Sequence, residues 1–319
     1  MPWAKSMTVL GIDLGGTKLA LAVFSEDGSL IREEMLMLAG RTGSEVGALI
    51  SGQVTKFLNM DEIHSIGACV PGISHRETGH VWAPNIPGWD DYPLRDELRQ
   101  VTNDIPVSVD SDRACYILGE SWIGNAKGCR DAIFLAVGTG IGAGILTDGK
   151  VLRGAHDIAG AVGWMALDRP FSDRYAEFGC FESRASGECI ARLARKIISE
   201  TQEHDGFLKN IPPEKITAPD IFQAYDKGDG IAVEVIRQCI ELWGMAVANL
   251  VSVFNPEKII FGGGVFGPAV RFIPEIRDEA AKWAQPISMK RVSIEPSALG
   301  SRAGLYGAGL LAMRQVISE

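Results

Sequence analysis

No block of lysine and arginine occurs anywhere in this sequence, and 40 acidic residues against 31 basic ones leave a formal net charge of −9. The average surface would repel a phosphodiester backbone, which argues against nucleic acid as a partner. No apolar run approaches the length of a bilayer span, and the opening MPWAKSMTVLGID holds one lysine and no long apolar stretch. The expectation is a cytoplasmic protein with no membrane attachment. The six cysteines (Cys69, Cys115, Cys129, Cys180, Cys189, Cys239) are scattered without a C-x-x-C pair. That spacing fits reduced, buried thiols better than a disulfide frame or a closed zinc site. Linkers, low-complexity tracts and runs of one charge are missing too.

What remains is a chain of 319 residues, 46% of them hydrophobic, which is long enough for two buried cores. Two stretches share one design: VLGIDLGGTKLALAVF near the start, and AIFLAVGTGIGAGILTDGKVL from Ala132 to Leu152. Each reads as strand, Gly/Thr turn, strand, which predicts a duplicated unit. Between them SIGACVPGI reads as a buried strand, YPLRDELRQVTND as a helix with Leu94, Leu98 and Val101 on one face, and IPVSVDSD as a strand. The alternation predicts a largely buried α/β sheet. Farther on, SGECIARLARKIISET has helical spacing and Thr217 with Asp220 makes a capping-box pattern. An amphipathic helix runs from Asp229 to Phe254, where Asn255-Pro256 stops it. The strand EKIIF follows, then the triplet Gly262-Gly263-Gly264 and a helix from about Pro268 to Trp283 with Pro274 inside it. A last helix, rich in small residues and suited to close packing, spans about Ser301 to Met313.

The glycine turns carry the chemistry. The first, Asp13-Leu14-Gly15-Gly16-Thr17-Lys18, leads into a strand, whereas a G-x-x-x-x-G-K-[ST] phosphate loop leads into a helix. Glycines without Cβ let backbone N–H groups approach phosphate oxygens, Thr17 and Thr139 can donate hydroxyl hydrogen bonds, and Asp13 can hold Mg2+ through water. Taken singly, either turn reads equally as a hairpin whose glycines only supply positive φ. Two matched turns and a third glycine cluster favour a shared polyanion. The third, IIFGGGVFGPA, also contains G-x-G-x-x-G (Gly262, Gly264, Gly267), the spacing of a dinucleotide fingerprint. A hydride-transfer reading leaves the first two turns without a role, so the third is assigned to the adenosine of a nucleotide.

Three such turns in this order resemble the actin-like sugar-kinase superfamily. GIDLGGTK, VPG, APNIPGW, VDSDRACYILGE, VGTGIGAGI, GCFESRASG, NPEKIIFGGG and LGSRAGLYGAGLLA resemble the ROK family of sugar kinases and sugar-responsive repressors, across nearly the whole chain. The resemblance implies an α/β, two-lobed actin-like ATPase (ribonuclease H-like) fold with an interlobe cleft. Residues 1–118 plus 302–319 would form the N-terminal lobe and 119–301 the C-terminal one. It also implies an ATP- and Mg2+-dependent kinase acting on a primary hydroxyl of a hexose or hexose-like sugar. Asp13, Gly15, Gly16, Thr17, Lys18, Gly138, Thr139 and Gly140 would serve magnesium and phosphates, and Gly262, Gly263 and Gly264 the adenosine. Gly72, Asn85, Ser111, Trp164 and Glu182 fall at sugar positions, and Asp112 matches the catalytic aspartate that accepts the proton of the attacking hydroxyl. Apart from the family, Asp110, Ser111 and Asp112 are each candidates to cap a helix, and Asn85 is an ordinary turn residue. The family also hints at a homodimer.

The sequence departs from the family in one region. Zinc-containing members carry a Glu-x-Gly-His stretch followed by three cysteines; the run here is GAVGWMALDRPFSDRYAEFGCFE. Ala161 stands for the glutamate, Trp164 for the histidine, Asp173 and Tyr175 for two of the cysteines, and Cys180 is left alone. One thiolate cannot supply the four ligands of structural zinc, so no zinc is expected. Trp164, Phe171, Tyr175, Phe178 and Phe181 are expected to cluster in its place. The asparagine that usually precedes the catalytic aspartate is Ser111 here. With Ser111, Ala161 and Trp164 all changed, the sugar preference is expected to differ from a glucose-like one. Trp164 reads either as a ring for an apolar sugar face or, in preference, as a filler of core volume, and His156 reads as a surface residue. The alternative function is a catalytically silent sugar- or nucleotide-binding sensor. Repressors of the family carry an N-terminal DNA-binding helical region, whereas here the first strand begins by about Thr8.

Overall fold

A computed structural model describes residues 7–201 and 204–317. In the first lobe β1 (Thr8–Leu14), β2 (Lys18–Ser25) and β3 (Leu30–Met37) form an antiparallel meander. β4 (Ser65–Val70) lies parallel to β1, and after a short ribbon of β5 (Ile73–Ser74) and β6 (Val81–Trp82) the strand β7 (Val107–Ser111) lies parallel to β4. The second lobe repeats the plan with the meander β8 (Ala132–Val137), β9 (Ile141–Thr147) and β10 (Lys150–Val151), followed by the parallel strands β11 (Lys258–Gly262) and β12 (Ser293–Pro296). The strand orders, β3-β2-β1-β4-β7 and β10-β9-β8-β11-β12, bear out the expected duplication.

Strand residues of opposite parity face different neighbours. Leu10, Ile12, Leu14, Leu19, Leu21 and Val23 point to α1 (Gly43–Met60) and α2 (Leu94–Val101), packing with Val46, Ile50, Val54, Phe57 and Leu98. On the other face Val9, Ala20, Ala22 and Phe24 meet the helix that ends the chain. α3 (Asp112–Ile123) leaves the first sheet and packs on the second, where Gly144 of β9 has no Cβ to overlap the Arg113 carbonyl. The expected division at 118/119 falls inside this helix. The second lobe adds α4 (Asp173–Phe178), α5 (Glu182–Ala185), α6 (Gly187–Glu200), α7 (Ala218–Asp226) and α8 (Gly230–Phe254). As the sequence predicts, the Thr217 N–H donates to the Asp220 carboxylate at 2.8 Å, and Asp229 caps α8 by accepting from Ile231 and Ala232. Asn255 ends α8 in the left-handed conformation, φ 47°.

The single helix expected from Pro268 to Trp283 is instead a 3-10 turn, Pro268–Phe272, followed by α9 (Ile273–Ala281). Pro274 sits in the first turn of α9, where a missing N–H breaks no helical bond, so the proline starts a helix and does not interrupt one. After α10 (Pro286–Arg291) the chain closes with α11 (Ala303–Ile317), which packs as closely as its small residues foretell. A Cβ at Gly307 would overlap the Cys115 carbonyl of α3, and one at Gly119 of α3 would overlap the Ala303 carbonyl of α11. Gly67 of β4 meets the Ala308 carbonyl in the same way. Gly307→Ala is therefore expected to destabilise the protein by about 1–3 kcal/mol, the usual penalty of overpacking, with a lower urea midpoint and an unchanged m-value as the measurement.

Candidate active site

Asp13 lies near the end of β1, one strand away from Cys69 of β4, whose thiol hydrogen-bonds its carboxyl. The turn that follows is closed by the Gly15 N–H donating to the Lys18 carbonyl at 2.9 Å, and the Thr17 carbonyl accepts from Leu38 at 2.8 Å. Gly304, in the first turn of α11, brings that helix against Asp13; a Cβ there would stand 2.8 Å from the carboxylate.

At the start of α3 the structure resolves which residue is the cap. The Ser111 hydroxyl accepts from the Ala114 N–H at 3.3 Å, while Asp110 forms an ion pair with Arg153. Asp112 is thereby left as the first helical residue, its carboxylate accepting from the Arg113 N–H at 2.8 Å. Ser111 itself is buried and does not line the cleft.

The second and third turns touch each other. Gly138 N–H donates to the Gly140 carbonyl at 2.9 Å across the β8–β9 turn, and the Gly138 carbonyl accepts from Gly187 at the start of α6 at 2.8 Å. Gly263 has φ 87° and would drive a Cβ into the Val137 carbonyl, so only glycine fits where β11 ends beside β8. The Glu182 carboxylate accepts from the Ile141 N–H at 2.7 Å.

The three turns and Asp112 meet at one cleft of about 910 Å³ between the lobes, lined by Asp13, Gly15, Gly16 and Lys18, by Gly138 to Gly140, by Gly262 to Gly264, and by Gly72, Asn85, Asp112, Trp164 and Glu182. Of the expected site residues, Thr17 and Ser111 are not part of the lining. The cleft is at the large end of the range for one small ligand, with room for a nucleotide and a second reactant. Residues that the sequence reading passed over also line it, notably Trp82, Arg113 and Tyr116. Tyr116 was within reach of that reading, because it stands one helical turn after Asp112.

Burial pushes the Asp13 carboxyl up to about 6; the Cys69 thiol and the Lys18 ammonium oppose the rise and the Asp112 charge adds to it. Burial also lifts Asp112 to about 6, against the nearby Arg113 charge and N–H and the Tyr116 hydroxyl. Glu182 is raised by burial as well. Three carboxyl groups raised by burial share this cleft, which makes it the candidate functional centre.

The sequence model of the ROK family matches residues 9–315. The chain belongs to the ROK family. It is 31% identical to the glucokinase of Halalkalibacterium halodurans over 318 residues, covering 96% of this chain and 95% of that one. It is also 31% identical to the xylose repressor of Caldicellulosiruptor bescii, covering 98% of this chain and 79% of the repressor. Among solved structures it is similar to a ROK family glucokinase from Streptomyces griseus in complex with glucose and AMPPNP, with 28% identity, a TM-score of 0.77, and coverage of 97% and 99%. The fold is thus the two-lobed, actin-like ATPase fold of ROK kinases.

In this ROK protein the segment that departs from the zinc-containing members is organised differently from the expected aromatic cluster. Phe171 is 71% exposed and edge-on to Tyr175 at 6.3 Å; Phe178 lies under Arg174, and Phe181 is buried in the second-lobe core. The centre of the segment is Asp168, paired with Arg184 at 2.8 Å and accepting from the Tyr175 hydroxyl at 3.3 Å, with the Cys180 thiol 3.9 Å from its carbonyl. Arg184, just outside the run, and Tyr175 within it hold Asp168, while Trp164, Phe171 and Phe178 stay exposed. Among the described residues no group of three or more His, Cys, Asp or Glu side chains is placed to hold a metal ion. Trp164 is 54% exposed and faces the cleft, which corrects its reading as a core filler, whereas His156 is at the surface as expected.

A carboxyl whose folded pKa lies above its unfolded value holds its proton more tightly when native, so stability falls as pH rises from about 4 to about 6 and stays lower above. Asp13→Asn is expected to raise the Tm of the ligand-free protein by roughly a few degrees at about pH 7.5, and the gain should shrink at about pH 5. A gain independent of pH in thermal denaturation would contradict the raised value.

Proposed function

We propose that this ROK protein transfers the γ-phosphoryl group of ATP to a primary hydroxyl of a hexose or hexose-like sugar, with Mg2+. The observation that carries the reading is Asp112: Ser111 supplies the helix cap, so the Asp112 carboxylate is left to face the cleft that the three glycine turns also line. The relatives support it, since glucokinases of the family are similar over nearly their whole length and one holds glucose and AMPPNP.

Asp112 accepts the proton of the attacking hydroxyl and orients that oxygen, and its pKa near 6 leaves it ionised at neutral pH yet more basic than an ordinary carboxylate. The turns at Gly15–Gly16, Gly138–Gly140 and Gly262–Gly264 let the donor's phosphates and nucleoside approach the main chain without side-chain obstruction, with the Gly15 and Gly138 N–H groups closing the turns and the other turn N–H groups left for the ligand. Asp13 suits a hard cation: it is an oxygen ligand on the cleft wall, and the Cys69 thiol and Lys18 do not offset its desolvation. Mg2+ when bound neutralises charge on the phosphate oxygens. Closure of the lobes excludes water from the reacting groups. Asn85 and Glu182 face the acceptor from opposite lobes, but Ala161 offers no hydrogen bond and Trp164 offers a ring face. Each lost charged hydrogen bond weakens binding by about 1.5–3 kcal/mol, so glucose should be a poorer substrate here than for its relatives.

A panel of hexoses, N-acetylhexosamines and ketoses, followed by ADP release, tests the reading. Turnover of at least one sugar is expected, with Asp112→Asn reducing kcat/KM by about 10²–10⁴-fold. Activity in the wild type should climb through about pH 6, because the base works only when unprotonated. Chelation should abolish turnover and Mg2+ alone should restore it. A second reading, a silent sensor, is favoured by the equal similarity to a xylose repressor and by the altered sugar positions. ATP binding without turnover of any sugar would establish it in place of the kinase.

A further inference from the structure

Arg113, next to Asp112, bridges the two lobes. Its Nη1 donates to the Ile158 carbonyl at 3.3 Å, in the loop after β10, and its Nη2 donates to the Gly72 carbonyl at 3.5 Å, just beyond β4. All three residues line the cleft. Room for the arginine stem is built into the second sheet, where a Cβ on Gly142 would stand 3.0 Å from Cδ and 3.2 Å from Cγ.

Two further contacts hold the same loop to the first lobe. Asp157, at its tip with φ 57°, pairs with Arg76 at 2.7 Å and accepts from the Arg76 N–H at 3.2 Å. Arg153, at the loop's start, pairs with Asp110, and that pair is largely shielded from solvent. The loop's far end stays with its own sheet through the Ala143 N–H, which donates to the Gly160 carbonyl at 2.8 Å. Ile158 and Trp82 are 44% and 40% exposed on the cleft beside this crossing.

We propose that Arg113 is a positioning residue for the acceptor: it clips the Arg153–Gly160 loop to the first lobe and so fixes the wall of the acceptor pocket next to Asp112. The proposal rests on the sugar-kinase reading for its kinetic consequence, and on the interlobe contacts alone for its conformational one. Hydrogen bonds of 3.3 and 3.5 Å to neutral carbonyls are weak and releasable. The clip therefore makes and breaks as the lobes move, while the shielded Asp110–Arg153 pair persists.

Small-angle X-ray scattering of the full chain without ligands reads the clip directly. Arg113→Ala combined with Asp157→Ala should enlarge the radius of gyration, and Arg113→Lys should enlarge it less; a radius equal to that of the wild type in the double variant overturns the proposal. In steady-state kinetics on the best acceptor of the panel, Arg113→Ala should raise the acceptor KM about tenfold, with the KM for ATP within about twofold and kcat less affected. Arg113→Lys should recover part of the loss. A fall in kcat with an unchanged acceptor KM overturns it as well. A wild type that turns over no sugar, with the scattering change present, removes the kinase reading and leaves the clip standing.

Discussion

The structure depends on a crossing in which two helices meet through their backbones. α3 and α11 touch at Gly119 and Gly307, and α11 is set against the first sheet by Gly11 and Gly67, each facing a helical carbonyl or amide of α11. At these glycines main chain meets main chain, so the separation there is fixed by backbone contact and does not relax by rotamer changes. β1 and α3 are thereby registered against the same helix. Asp13 at the end of one and Asp112 at the start of the other are brought to a single cleft although 99 positions separate them in the sequence.

That registration has an electrostatic price. Both carboxyl groups are withdrawn from water, and the charge of Asp112 further raises Asp13. The molecule leaves them opposed by one lysine, one arginine, a thiol and a phenol, which is too little to restore ordinary acidity. A site left uncompensated in this way favours a ligand that brings positive charge or gives up a proton. The segment around Asp168 shows the opposite treatment: there Arg184 and Tyr175 satisfy the carboxylate, and the group is structural.

Much of this was legible because its signals are local. The glycine-interrupted strand pairs, the Thr217–Asp220 capping box, the stop at Asn255-Pro256 and the small-residue face of α11 all depend on residues a few positions apart, and all appear as read. What escaped depends on partners far along the chain. Composition put five aromatic residues together around the lone Cys180, but the ion pair of Asp168 with Arg184 organises that segment. The direction of Trp164 is set by Gly163 and Gly179, which let the chain pass close to Glu182 and to itself, and no periodicity encodes that. Arg113 carries no signal of its own in the sequence, because its acceptors lie 41 and 45 positions away. Asp112 is intermediate: three adjacent residues competed for one capping role, and only the Ser111 hydroxyl bond decided among them.

α3 is shared between the lobes, abutting β9 at Gly144 on one side and α11 at Gly119 on the other. A part mounted at a pivot sweeps a shorter arc than anything at the rim. In the proposed kinase, Asp112 in the first turn of α3 would therefore travel with the shared helix and little with the swing of either half.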